Sequence, residues 1–203
     1  MSAPQPYHHV RPIAAVDLPA VAELLGRGMA DNPIHVAAYR GDESSGARRH
    51  SRLMHTLLRA SRSLQLEGVD RDGALAGVAG WAPPGTCRPV LGAQLRLMAR
   101  GVTFGPRTAG RLLTWTTAWA KHDLDAPHVH LGPVSVDRHL RGLGIGSLLL
   151  SRHVSRLDVA GAVGYLETDR PEAVGFYERF GFRVVERADV LGTTCWFMRR
   201  PAS

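Results

Sequence analysis

Only two cysteines, Cys87 and Cys195, occur in this chain of 203 residues, and they form no C-x-x-C pair. That is too few, too far apart, for a disulfide framework, and it offers neither a zinc cluster nor a dithiol redox motif. Both read as reduced thiols, which points to a cytoplasmic protein. No stretch approaches the roughly 18 consecutive apolar residues that span a bilayer. The opening MSAPQPYHHVRP also lacks a basic patch followed by an apolar stretch, so neither membrane insertion nor secretion is expected. Acidic residues are the minority, 18 against 25 Lys and Arg, which leaves a net charge of +7. Such an excess suits nucleic acid, anionic membranes and polyphosphate cofactors alike. Because the arginines are spread through helical stretches and not massed in a tail, a dedicated nucleic-acid role is not expected.

A hydrophobic fraction of 44% is enough to bury one substantial core, so one domain over residues 1–203 is expected, with residues 1–7 as a flexible tail. Residues 8–14 suit a first strand, after which Asp17 is placed to cap a helix over 18–29. Asp31-Asn32-Pro33 breaks that helix, and a second begins near Ser45 with Leu53, Leu57 and Leu58 on one face. Residues 64–81 read as two strands joined by Asp70-Arg71-Asp72-Gly73, a hairpin turn. Residues 90–121 read as one or two helices broken between Gly101 and Pro106. After Pro127 the pattern becomes strand, glycine loop, helix, strand, helix and two further strands. The composite is an α/β domain with a mixed central sheet of about six or seven strands flanked by helices.

The most informative stretch is HVHLGPVSVDRHLRGLGIGSLLLSRHV, in which an apolar strand feeds Arg141-Gly142-Leu143-Gly144-Ile145-Gly146 and then a helix. Glycines let the backbone approach a ligand closely, and the free amides of a helix's first turn point outward with the positive end of its dipole. Together they make an anion site suited to a pyrophosphate, to which Ser147 adds a hydroxyl. A dinucleotide fingerprint would need glycine where Ser147 stands, and no Gly-Lys-Ser/Thr follows for a P-loop.

This segment resembles the GNAT acetyltransferase superfamily, whose strand 4, pyrophosphate loop and following helix look like Val134-Ser135-Val136, Arg141 to Gly146 and the helix after it. Downstream, Tyr165-Leu166-Glu167-Thr168 is similar to the family's strand 5, and PEAVGFYERFGF to the helix and turn beyond. Within the superfamily, YLETDRPEAVGFYERFGFRVV and the ending TTCWFMRRP are most similar to puromycin-type antibiotic N-acetyltransferases and their uncharacterised relatives. The resemblance implies acetyl-CoA as acetyl donor, bound by residues 128–182, with strands 4 and 5 splayed around its pantetheine arm. Gly132-Pro133 suits such a gap, since proline lacks the amide a regular central strand needs. It implies cofactor contacts at Val134, Ser135, Val136, Arg141, Gly142, Leu143, Gly144, Ile145, Gly146, Ser147, Ala173, Phe176 and Tyr177. The puromycin-type branch often has asparagine where this chain has Ala173, and the wider family often has one where Arg170 stands.

Transfer from a thioester to an amine needs a neutral amine, a polarised carbonyl and a proton for the departing thiolate. Tyr177 stands where the family usually has a tyrosine near the cofactor sulfur, and is the expected acid. His128 and His130 alternate on the strand and so share a face. An imidazole with an ordinary pKa near 6.5 suits proton removal near neutrality, and His130 is favoured because it lies nearer the splay. Two histidines at this spacing also suit a metal, with His122 or Asp123 as a third ligand, but the favoured assignment has no metal. Glu67 and Trp81, on the hairpin, are candidates to face the acceptor. The expected reaction is direct transfer to a primary amine of a small molecule in a ternary complex, with Cys87 dispensable. Protein amine acetylation and non-catalytic acyl-CoA sensing are the alternatives. A pocket roofed by residues 17–60 and 90–121 would favour the small molecule, and a homodimer is allowed.

Overall fold

The computed structural model describes residues 9–87 and 91–202. The expected tail, residues 1–7, and the start of the expected first strand at His8 lie outside the described residues. Seven strands form one mixed sheet in the order β1-β2-β3-β4-β5-β7-β6. They are β1 His9–Pro12, β2 Gln65–Arg71, β3 Ala74–Ala82, β4 Val129–Val136, β5 Gly164–Thr168, β6 Arg183–Val190 and β7 Thr193–Arg200. Among the described residues, seven α-helices accompany them: α1 Leu18–Gly28, α2 Pro33–Tyr39, α3 Glu43–Ala60, α4 Leu91–Val102, α5 Pro106–Lys121, α6 Ile145–Ala160 and α7 Pro171–Glu178.

The β2–β3 hairpin forms where the turn chemistry requires it. Asp72 and Gly73 both take positive φ, 53° and 79°, and that geometry matches the right-handed twist of the flanking strands. All neighbouring strands are antiparallel except β4 and β5. This one parallel pair matches only Val129 with Gly164 and His130 with Tyr165 before it ends. Beyond His130 come Gly132 and Pro133, and on the other side the β3–β4 register shifts between Ala79 and Trp81. The strands therefore part where the proline withholds an amide.

Strand alternation distributes the core over both faces. Leu166 and Met198 point with Leu131 toward Leu149, Leu150 and Leu157 of α6. Their neighbours Tyr165 and Phe197 point the other way, into a cluster with Ile34 and Ala38 of α2 and Leu112 and Trp115 of α5. Val78 on β3 meets Leu24 and Leu25 of α1 and Leu58 of α3. Phe197 is fully buried, so Phe197→Ala would cost about 3–5 kcal/mol.

Three expectations change in detail. Pro33 ends nothing further; it occupies the first turn of α2, where its missing amide costs no hydrogen bond. The α3 helix starts at Glu43, two residues earlier than Ser45, because Asp42 accepts from the Ser45 amide at 2.8 Å. Asp17 precedes α1, but its side chain does not cap that helix. It accepts instead from the Ala14 amide at 2.9 Å and from Arg11 at 2.7 Å.

Candidate active site

After β4 the chain makes a short 3-10 turn, Arg138–Leu140, then the glycine loop, and enters α6 through Gly144. Gly144 has φ 83° and ψ −8°, a left-handed conformation that a side chain would strain. Nothing lies within 4 Å of a Cβ built at Gly142 or Gly144, so the loop borders open space. The amides of Ile145, Gly146 and Ser147 belong to the first turn of α6 and have no carbonyl of that helix to bond. A methyl at Gly146 would already stand 3.5 Å from the Phe176 ring of α7, so a larger side chain there presses on that helix.

Arg141 does not reach over this space. Its guanidinium donates to Asp31 at 2.9 and 3.2 Å and to the Gly28 carbonyl at 2.6 Å, pinning the loop to the end of α1. Asp31 also pairs with Arg170 at 3.1 Å and Arg138 at 3.7 Å. Its carboxyl is held well below the usual range, first by Arg141, against the opposing cost of burial, and then by Arg170. Three arginines thus gather at the rim of the loop, each held by carboxylates: all three by Asp31, Arg138 also by Glu43 and Arg170 also by Glu172.

One cavity of about 1220 Å³ runs from this loop, through the parting of β4 and β5, to the helices in front of the sheet. Val134, Ser135, Val136, Arg141, Gly142, Gly144, Ile145, Gly146, Ser147, Ala173, Phe176, Tyr177 and His130 all border it. Leu143 does not; its side chain turns outward and is 47% exposed. The far end is walled by residues of α1–α3, including Met29, His50, Met54 and Leu57, and by Ala93, Arg96, Trp115 and Trp119 of α4 and α5. Ser135 Oγ, His35 Nδ1 and Trp115 Nε1 belong to lining residues and are buried without a protein partner. Each such group is costly to leave unmet, and so is available to a ligand.

Where the strands part, His130 Nε2 lies 2.7 Å from Glu167 Oε2. Burial would lower the pKa of this imidazole, but the Glu167 charge outweighs it, with Cys87 assisting, and the value rises to about 10. An imidazole of ordinary pKa was the expectation; the Glu167 carboxylate instead favours the protonated ring. His128 is buried behind it, Nδ1 2.9 Å from the Ala126 carbonyl and Nε2 3.0 Å from Asp123 Oδ1. Cys87 Sγ stands 3.5 Å from the same Nε2. Burial would raise the Cys87 thiol, but hydrogen bonding to His128 and His130 brings it down to about 7. Tyr165 supports both histidines edge-on, its ring 5.1 and 5.3 Å from theirs. On α7, desolvation, followed by the charge of Asp169, pushes the Tyr177 phenol up to about 12, so it stays neutral and able to donate.

Glu67 and Trp81, expected to face the acceptor, do not line the cavity. The Glu67 carboxylate takes hydrogen bonds from Arg152 and Arg156 of α6 at 2.8–3.1 Å, and the Arg156 guanidinium sits 4.0 Å above the Trp81 ring. Both belong to the packing of α6 against the sheet. Sequence reasoning missed Glu167 and Cys87 as site residues. A carboxylate in the apolar strand Gly164–Thr168 was the available signal for the first, and nothing in the spacing marked the second.

The seven-stranded sheet with parted β4 and β5, the glycine loop and the helices around them are the GNAT fold. Residues 109–184 match the family model described as an acetyltransferase (GNAT) domain, which takes in β4, the loop, α6, β5 and α7. Among solved structures, the chain is similar to a Corynebacterium glutamicum protein described as histone acetyltransferase HPA2 and related acetyltransferase. Identity is 23%, 97% of each chain is covered, and the TM-score is 0.72. A GNAT family acetyltransferase from Brucella melitensis, solved with acetyl-CoA, is 18% identical over 97% of this chain and 89% of its own, with TM-score 0.54. A GNAT family N-acetyltransferase from Escherichia coli, solved with CoA, is 14% identical over 100% of this chain and 86% of its own, with TM-score 0.57.

Proposed function

We propose that this chain transfers the acetyl group of acetyl-CoA to a primary amine of a small molecule, by direct attack in a ternary complex. The observation that carries this reading is the open, Gly144-led start of α6 at one end of a cavity that passes between the parted strands. In the proposed complex the first-turn amides of α6 bond the diphosphate and the main chain of Val134 and Val136 bonds the pantetheine amides. The thioester then lies beside Tyr177 and His130. The structures solved with acetyl-CoA and CoA, which share the fold, support the same cofactor.

The amine attacks the acetyl carbonyl and loses a proton. Because His130 is held charged, Glu167 is the group beside the splay that accepts that proton, with the His130 ring fixing the carboxylate and His128 backing the ring. At the leaving sulfur, a phenol near pKa 12 is a weaker acid than a thiol near about 8.5. Complete proton transfer is uphill, so Tyr177 stabilises the thiolate through a charge-assisted hydrogen bond.

The small-molecule assignment rests on the walls. Of the expected acceptor-side segments, 15–60 and 90–121, residue 90 lies outside the described residues; the helices of 15–60 and 91–121 both contribute lining residues to the cavity, and a protein acceptor would be better served by an open groove. The last third of the chain, which carries the likeness to puromycin-type enzymes, holds cofactor and does not identify the amine. Thiol release measured over an amine library and across pH tests the proposal. Rates should climb with amine deprotonation, with no break near pH 6.5 from His130. A break there that disappears in His130→Ala would restore the imidazole as base, and tight acetyl-CoA binding with no turnover of any amine would leave a sensing domain.

A further inference from the structure

Electron-pair donors from three separate segments converge at the acceptor end of the cleft. Cys87 follows β3, Asp123 follows α5, His128 immediately precedes β4, and His130 is the second residue of that strand. The ligand atoms of Cys87, His128 and His130 all lie within 4.8 Å of one another. Asp123 Oδ1 is 3.0 Å from His128 Nε2, the nitrogen that is also 3.5 Å from Cys87 Sγ.

The state of His128 shows what such a convergence lacks. Its Nδ1 faces the Ala126 carbonyl at 2.9 Å, and a carbonyl only accepts, so Nδ1 carries a proton. In the neutral ring Nε2 then turns a lone pair toward a carboxylate oxygen and a sulfur at once. One proton on Nε2 serves one of these neighbours at a time, whereas a divalent cation serves all of them. His130 is oriented in the same way by its Nε2 contact to Glu167, which leaves Nδ1 as the ring's other nitrogen, a donor atom once an entering cation displaces the proton the protonated ring carries there. A histidine whose second nitrogen is fixed by a carbonyl or a carboxylate is the usual surrounding of a metal ligand. Cys87 and His130 border the cavity, so an ion has a way in.

We propose that Cys87, His128 and His130 bind a thiophilic divalent cation of the zinc class, with Asp123, which touches His128 but lies outside the three-residue cluster, moving in as the fourth ligand. A tetrahedral site with Zn–S near 2.3 Å and Zn–N near 2.0–2.1 Å has a sulfur–nitrogen edge of about 3.5 Å, the separation found between Cys87 and His128. One thiolate, two imidazoles and one carboxylate favour zinc over magnesium or calcium, which prefer all-oxygen shells. His122, the other nearby histidine, is not a ligand. Its Nδ1 pairs with Glu186 at 2.9 Å and its ring stacks on Phe197. The contribution of this chain is therefore a thiol from a loop that spacing along β4 does not announce.

Cobalt(II) titrated into the reduced, chelator-treated full chain is the test, followed by competition with zinc. Binding of one ion per chain should produce a thiolate-to-cobalt charge-transfer band in the near ultraviolet and tetrahedral d–d absorption in the visible, both removed by zinc. Cys87→Ser should abolish the charge-transfer band, His128→Ala should weaken binding at least tenfold, and Asp123→Asn should weaken it by about tenfold. Acetyl-CoA affinity of each variant, by calorimetry, reports that the fold is kept. Absence of the bands in the wild-type chain at several-fold excess cobalt would overturn the proposal. Persistence of the charge-transfer band in Cys87→Ser, with the remaining thiol as its source, would overturn it as well. Neither readout depends on acetyl transfer, so the site and the proposed reaction stand or fall separately.

Discussion

The cofactor side and the acceptor side of the cavity are built from different materials. Around the glycine loop the groups offered to a ligand are main-chain amides, held by the start of α6 and by the parting of β4 from β5. In front of the sheet the offered groups are side chains. His35, His50 and Tyr39 form a buried chain, with His35 Nε2 3.2 Å from His50 Nε2 and the Tyr39 hydroxyl 3.0 Å from His50 Nδ1. Trp115 meets the His35 ring at 4.8 Å between centroids. A main-chain site suits a ligand that never changes; a side-chain site is reshaped by single substitutions. The proposed chemistry falls at the seam, where Glu167 and His130 meet.

Breaking the seam should have the largest effect. Glu167→Gln should lower kcat by about 10²–10⁴-fold, the range for loss of a positioned proton acceptor, while leaving acetyl-CoA affinity intact. Stopped-flow or thiol-release kinetics reads the first and calorimetry the second; a fall in affinity alone would move Glu167 to the binding side. Next comes the main-chain side. Gly144→Val together with Gly146→Val should weaken acetyl-CoA by about 100-fold or more, because hydrogen bonds to a charged group contribute about 1.5–3 kcal/mol each. Unaltered affinity in a folded double variant would remove the phosphate assignment. Tyr177→Phe, which deletes one bond to the leaving sulfur, should reduce kcat by roughly tenfold at unchanged KM.

The smallest effect sharpens the contrast by acid. Burial holds His50 at about 3 and His35 well below its usual value, the latter also through His50. The unfolded chain takes up these protons near about 6.5 and the folded one does not, so stability is full above pH 6.5 and falls as pH drops toward 3. The slope should approach about 1.4 kcal/mol per pH unit for each such group. Hydrogen exchange at pH 6.5, 5.5 and 4.5 should therefore lose most protection in α2 and α3, where His35 and His50 face each other, and less in α6, where burial holds His153 at about 4. Simultaneous loss in both halves would mean that they unfold as one.

What could be read in advance follows the same division. The Asp72-Gly73 hairpin, the glycine loop and the proline after His130 were legible because unusual main-chain geometry demands particular residue types locally. The short α2 helix was not, since Pro33 signals a stop and a start with the same ring. Glu67 and Trp81 were assigned to the acceptor because strand position gives two faces without saying which one α6 covers. The pairing of His130 with Glu167 and the approach of Cys87 depend on contacts 37 and 41 residues apart in the chain, and no local pattern encodes them.

Asp31 ties these regions together. It stands where α1 gives way to α2, yet it restrains Arg141 before the loop and Arg170 before α7. A graft that replaced the front helices to accept a new amine, and omitted this one acid, would take from Arg141 the carboxylate that holds it, while Arg170 kept Glu172, and so raise the positive charge beside the proposed diphosphate site. Under the proposed function the expected consequence is tighter cofactor binding with slower product CoA departure, which would couple the range of acceptors to the pace of turnover through a residue outside the cavity lining.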